Sequence, residues 1–306
     1  MLARRLLFAL AVELAVYAAL GVWLVRAQTW SAASALGLGI AIAVGWRIVF
    51  GLVTYLIAWR HRSPSPPGFR ISPSALVPHV IRELGAMAAV YFVLQPFERW
   101  MMGDPGPPNE RAGRVPVLLV HGYACNRAAG WTLERRLRQR GETVWSVTLE
   151  PVYGSIDAWI APLAAAIDAL RASIGVNRVI VVTHSMGGLA SRAYLRAHGG
   201  AKLAALITLG APHHGSEHAR IGLGQNAREM EPGSAWLAAL AAADGEGAGI
   251  PFVSIFSHHD NLVAPQTSSV HPAARNVPLA GIGHLTLLFS PRVRELVVRE
   301  LDAANR

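Results

Sequence analysis

Charge is scarce in this 306-residue chain. Only 15% of its residues are Asp, Glu, Lys or Arg, where soluble domains carry about a quarter. Cysteine is nearly absent. The single Cys125 excludes a disulfide scaffold and a Cys-based zinc finger, and it fits a reducing compartment. There is no Gly-rich phosphate loop, no dinucleotide fingerprint and no interleaving of aromatic with basic residues, so neither a nucleotide cofactor nor a nucleic-acid partner is expected. No HExxH motif or carboxylate cluster accompanies the adjacent pairs His213-His214 and His258-His259. Adjacent histidines make poor co-ligands, so no metal is expected either. Against these deficits stand 52% hydrophobic residues and 28 basic against 19 acidic side chains, a net +9. Such a composition excludes a disordered or collagen-like chain.

Much of the apolar excess and of the charge lies at the N-terminus. Residues 6–25 read LLFALAVELAVYAALGVWLV, with Glu13 the one charge, and residues 32–59 carry only Arg47. Each run is long enough to cross a hydrocarbon core about 30 Å thick. A signal peptide would be shorter and followed by a small-residue cleavage site. The spacing predicts a two-helix transmembrane hairpin over 1–62. Arg4, Arg5, Arg60 and Arg62 flank its open end, and Arg26 alone sits in the short loop. The excess of arginine puts both ends in the cytoplasm, and the rest of the chain with them, on the inner (plasma) membrane. Residues 1–62 hold six Arg and one Glu, +5 of the +9. Glu13 and Arg47 are costly in a bilayer, so they either pair across the hairpin or snorkel to their own interfaces.

Ser63 to Gly68 (SPSPPG) reads as a linker, because proline cannot continue a helix. Residues 74–101 follow as a helix with an eleven-residue apolar run from Leu84 to Leu94, too short by itself to span. This juxtamembrane amphipathic segment lies either on the membrane or on the next domain. Gly103 to Pro108 (GDPGPP) is a second break, and the boundary is set between 110 and 111.

From 111 to 306 the pattern alternates. Short β-branched runs at 115–120, 143–149, 178–184, 203–209, 251–257 and, more weakly, 276–281 are separated by helix-like segments near 130–140, 156–173, 187–198, 234–243 and 290–302. That alternation predicts an α/β fold with a mostly parallel sheet covered by helices on both faces. Sites in such sheets form at the carboxyl ends of the strands.

The strand ends carry the chemistry. After 178–183 comes Thr183-His184-Ser185-Met186-Gly187-Gly188 and then a helix. A serine thrust out on a strand-to-helix turn is a nucleophile elbow, Gly-x-Ser-x-Gly, with Thr183 in place of the first glycine. After 115–120 comes His121-Gly122-Tyr123. Acyl transfer needs two backbone N–H groups aimed at the developing oxyanion. Met186 and Tyr123 are the candidates, and Gly122 allows close approach of the backbone. Asp260 follows the strand 251–257, and His284 follows 276–281. The order Ser185, Asp260, His284 gives nucleophile, acid and base. Asp244 is a rival acid, but it precedes its strand and so belongs at the wrong end of the sheet. Cys125 has no placed base and is read as packing.

The pieces VLLVHGY (117–123), VVTHSMGG (181–188), ITLGAPHHGS (207–216), SHHDNLVAP (257–265) and GIGHLTL (281–287) resemble α/β-hydrolases, bacterial lipases and esterases in particular. The resemblance covers about two-thirds of the chain and leaves the hairpin out. It implies the α/β-hydrolase fold, Ser185, Asp260 and His284 as triad, Tyr123 and Met186 as oxyanion donors, and a site wall formed by His121, Gly122, His184, Pro212 and His213. The expectation is a membrane-anchored serine hydrolase acting on an ester or lipid. A thioesterase or acyltransferase on the same triad, or a non-catalytic scaffold or permease component with a hydrolase-like domain, are the other readings.

Overall fold

Six short runs rich in Val, Leu and Ile form the centre of the protein. The structure, a computed structural model, describes residues 2–108, 113–244 and 249–306. The strands are β1 (Val117–Val120), β2 (Val144–Val147), β3 (Val179–His184), β4 (Leu203–Leu209), β5 (Phe252–Ser257) and β6 (Arg275–Leu279). All five pairings are parallel, in the order β2-β1-β3-β4-β5-β6. β1 begins two residues later than its apolar run, because Pro116 has no N–H to give the ladder. Pro278 is tolerated in β6, which lies at the edge of the sheet.

Successive side chains on a strand face opposite ways, and the core divides accordingly. Leu119, Ile180, Ile207 and Ile255 belong to one apolar cluster, with Leu133 and Leu137 of α5 (Trp131–Gln139) and Val293, Val297 and Leu301 of α10 (Pro291–Ala304). Leu118, Val181 and Leu206 belong to the other, with α6 (Ile160–Ile174), α7 (Met186–His198) and α9 (Ala235–Ala242), which the short α8 (Gln225–Glu229) precedes. The helix expected to start at 156 opens as a 3-10 turn, Ile156–Trp159.

The N-terminal third is α1 (Leu2–Ala27), α2 (Ala32–Arg60), α3 (Pro73–Ala88), which runs on as a π-helix over Ala89–Leu94, and α4 (Glu98–Met102). Both α1 and α2 are long and apolar enough to cross a membrane. So is Pro73–Leu94 as one 22-residue helix, which is longer than its eleven-residue apolar run suggested. Two positions of the hairpin resolve the choice left open for its charges. Both Arg47 guanidinium NH groups bond the Glu13 carboxylate at 2.7 Å, so the two pair across the hairpin.

The third helix lies on the sheet. Its Ala86, Met87, Val90 and Leu94 join the first apolar cluster. The segment expected as a free linker is docked as well. Ser63 is buried, its N–H and hydroxyl donate to Gln266 Oε1, and Phe69 packs on the His258 ring at 4.9 Å. Higher on α2, Thr54 Oγ1 accepts from Asn261 Nδ2 at 2.9 Å, and the Thr54 carbonyl lies 2.9 Å from His218 Nε2. The hairpin is therefore in direct contact with the loops that follow β4 and β5. The boundary set between 110 and 111 lies outside the described residues.

Candidate active site

The chain leaves β1 toward β2 on one side and returns through β3 on the other. Loops that diverge in this way open a crevice at the carboxyl ends of the strands. Ser185 stands there, one residue past β3, with φ +56° and ψ −128°. A non-glycine residue in that conformation is strained, and the strain lifts its side chain off the strand. Its N–H is fixed to the Leu209 carbonyl at the end of β4, 2.9 Å away. The hydroxyl makes no hydrogen bond among the described residues.

The loop after β1 presses against the serine. A Cβ on Gly122 would lie 2.7 Å from Ser185 Cβ, so only glycine fits. Tyr123 is next, and its half-buried ring packs on the second apolar cluster, 5.8 Å from the Tyr153 ring. Its hydroxyl donates to the Leu223 carbonyl and accepts from the Leu223 N–H. Met186 opens α7, where the first N–H groups have no intrahelical acceptor. The structure thus brings the residues expected as oxyanion donors to the two sides of Ser185.

Asp260 and His284 come together from the ends of β5 and β6. Nδ1 of His284 lies 2.8 Å from Asp260 Oδ2, and both residues are buried. The other carboxylate oxygen accepts from the N–H groups of Leu262 and Val263 at 2.8 and 2.7 Å. With Nδ1 taken by Asp260, Nε2 is the ring nitrogen of His284 without a partner among the described residues. Burial would favour a neutral imidazole. The charge and hydrogen bond of Asp260, with Glu83 behind it, outweigh burial and hold His284 above its ordinary value. Burial opposes the charge on Asp260 too, but the His284 charge and the hydrogen bonds keep that carboxyl below its ordinary value.

The neighbouring histidines are tuned the other way. Burial, then the charge on His284, pushes His184 down to about 3, and burial takes His121 to about 4. His184 Nε2 donates to the His284 carbonyl at 3.1 Å. His121 accepts from the Leu149 N–H through Nε2. Both rings brace the site. His213 is buried beside Phe252 and His271, with Pro212 before it in the loop after β4. Burial pushes the Cys125 thiol up to about 12, which makes it unreactive. Asp244 is spoken for, since its carboxylate pairs with Arg192 and lies 3.1 Å from His271.

Four residues at the site escape a reading of motifs. Glu83 on α3 and Asn261 both bind the His284 segment, Gln266 binds the Asp260 carbonyl, and Thr54 holds Asn261. Asn261 lies inside the segment SHHDNLVAP (257–265), which by itself assigns it no role, and Gln266 directly follows that segment. Glu83 and Thr54 reach the site across more than 200 residues.

Among known proteins, residues 117–301 match the alpha/beta hydrolase family. Triacylglycerol lipases of Pseudarthrobacter phenanthrenivorans and Burkholderia plantarii are each 31% identical over 193 residues, or 56% of this chain. The chain spans about half the length of these curated relatives, 56% and 50% respectively. The mature form of a Bacillus licheniformis lipase superposes with a TM-score of 0.57 at 18% identity, over 65% of this chain and 96% of that one. Aspergillus fumigatus lipase B gives 0.53 at 18% identity, over 80% and 67%. At those identities the two structures speak for the fold alone. A match running from β1 to the last turns of α10 covers the whole sheet and every strand end described above, and the chain belongs to the alpha/beta hydrolase family.

Proposed function

We propose that this protein is a membrane-anchored serine hydrolase that cleaves carboxylic esters of the lipase and esterase type. One observation carries the reading. A buried Asp260–His284 pair, 2.8 Å apart, follows β5 and β6 of the same parallel sheet whose β3 ends at the strained Ser185. The elements then have assigned roles. Ser185 Oγ gives its proton to His284 Nε2 as it attacks the ester carbonyl carbon. Asp260 fixes the imidazole tautomer and stabilises the imidazolium. The backbone N–H groups of Tyr123 and Met186 receive the oxyanion, and the positive end of α7 adds to them. Collapse expels the alcohol, which takes the proton from His284. Water activated by His284 then releases the acid from the acyl-enzyme.

The substrate class rests on the names of the curated relatives, which are triacylglycerol lipases, and on the apolar helices beside the site. In this reading 1–62 is the anchor, 63–110 the connecting segment and 111–306 the catalytic unit. The flanking arginines place that unit on the cytoplasmic side of the inner membrane. A fluorophosphonate probe applied to the full-length protein should label Ser185, and an acyl-chain series of esters should define the preferred substrate. No labelling, together with unchanged ester hydrolysis in Ser185→Ala, would overturn the proposal. An active C-terminal alkaline phosphatase fusion would overturn the topology alone.

A further inference from the structure

The segment that carries His284 is held from outside the family-matched part of the chain. Glu83, on α3, is completely buried. Its Oε1 accepts from the Leu285 N–H at 2.8 Å, and its Oε2 accepts from the Thr286 N–H at 2.9 Å and from the Thr286 hydroxyl at 2.7 Å. All three donors belong to the two residues directly after His284. The loop is shaped to admit this carboxylate, since a Cβ on Gly283 would lie 2.4 Å from Glu83 Oε2. The residue before His284 is therefore bare where the carboxylate enters, and the residues after it supply every bond.

The other constraints on His284 leave this one to do a separate task. Asp260 fixes the ring through Nδ1, and Asn261 Oδ1 accepts from the His284 N–H at 3.0 Å. His184 donates to the His284 carbonyl. None of these bonds sets the path of the chain beyond His284. Without Glu83, two N–H groups and a hydroxyl would be left without acceptors, and the turn Thr286–Leu288 would lose the group that holds its first residues. A shift of about 1 Å at a catalytic group can cost about 100-fold in rate.

We propose that Glu83 is a positioning residue for the base His284, so that a helix outside the family match completes the active site. The inference rests on the serine hydrolase reading above. Its test uses the full-length protein in detergent with a short, water-soluble ester, so that delivery from a membrane does not enter. Glu83→Ala should lower kcat about 30- to 100-fold with KM changed less than about threefold. Thr286→Ala, which removes one bond and leaves the carboxylate in place, should lower kcat about three- to tenfold. It decides the matter if Glu83→Ala does not fold. In a His284→Ala background, Glu83→Ala should bring no further loss in the slow rate of fluorophosphonate labelling, because the group it positions is gone.

The outcomes separate cleanly. If His284→Ala hydrolyses the ester as fast as the parent, the serine hydrolase reading fails and this inference goes with it. If His284→Ala is inactive while Glu83→Ala and Thr286→Ala keep the parent kcat, this inference alone fails. An equal loss from Glu83→Ala with and without His284 would mark a role in folding only, and would also overturn it.

Discussion

The hairpin and the sheet each hold a carboxylate–base pair in apolar surroundings, and the two are wired differently. In the hairpin, Glu13 receives two guanidinium NH groups, the Tyr17 hydroxyl and the Trp46 indole N–H. Arg47 also donates to the Ala43 carbonyl and sits 4.4 and 4.0 Å from the centres of the Trp46 and Phe92 rings. At the strand ends, Asp260 is likewise saturated, but among the described residues neither His284 Nε2 nor the Ser185 hydroxyl has a hydrogen-bond partner. A pair whose donors and acceptors are all occupied can hold two helices together. A pair with one open nitrogen can move a proton. The difference between the two regions is thus one of spare valence, in residues of similar chemistry.

The sharpest way to break that comparison is to remove the open end. Ser185→Ala or His284→Ala should lower kcat for a soluble ester by about 10⁴-fold or more, leaving only what binding and the oxyanion donors provide. A loss under tenfold would show that the strand-end pair is structural after all. Next comes the closed end of the same pair. Asp260→Asn should cost about 10⁴-fold in kcat, because the imidazole loses its tautomer partner. Asp244→Asn, whose partner is Arg192, should leave kcat within threefold and lower only the melting temperature. The reverse result would exchange their assignments.

The hairpin pair should respond in stability, with no loss of chemistry. Glu13→Leu or Arg47→Leu leaves one charge unpartnered among apolar helices, at a cost of about 3 kcal/mol. The double substitution should recover most of that in detergent melting, and kcat of the folded protein should not move. A double variant worse than both singles would show that the pair is not the unit described. The smallest expected effect is in pH. His284 must be neutral to act as base, and Asp260 holds its pKa above the ordinary histidine value. Activity should therefore rise with pH through a midpoint above about 6.5. A midpoint below that value would mean that burial prevails over the Asp260 charge.

Much of this was legible in the chain itself, and the reasons are local. Each strand is a short β-branched run that begins and ends within a few residues of its expected limits, as Val179–His184 and Phe252–Ser257 illustrate. Ser185, Asp260 and His284 stand out as candidates because each lies within about five residues of the end of such a run. Glu83 was not, because by local pattern it is a charge flanking an apolar run, and its partners are 202 and 203 residues away. The same holds for Thr54, which by composition belongs to a span yet bonds Asn261. Contacts between distant segments obey no spacing rule that a single chain displays.

Under the function proposed above, the docking of Ser63 has a consequence for how substrate is reached. A free stretch of five or six residues would let a domain wander about 13 Å from its anchor. Here the first residue of that stretch is buried and bonded to Gln266, which in turn bonds the Asp260 carbonyl. Were the hairpin in a bilayer, the sheet domain could not swing out to sample solution. Its search would be confined to two dimensions, with its orientation to the lipid surface set when the chain folds.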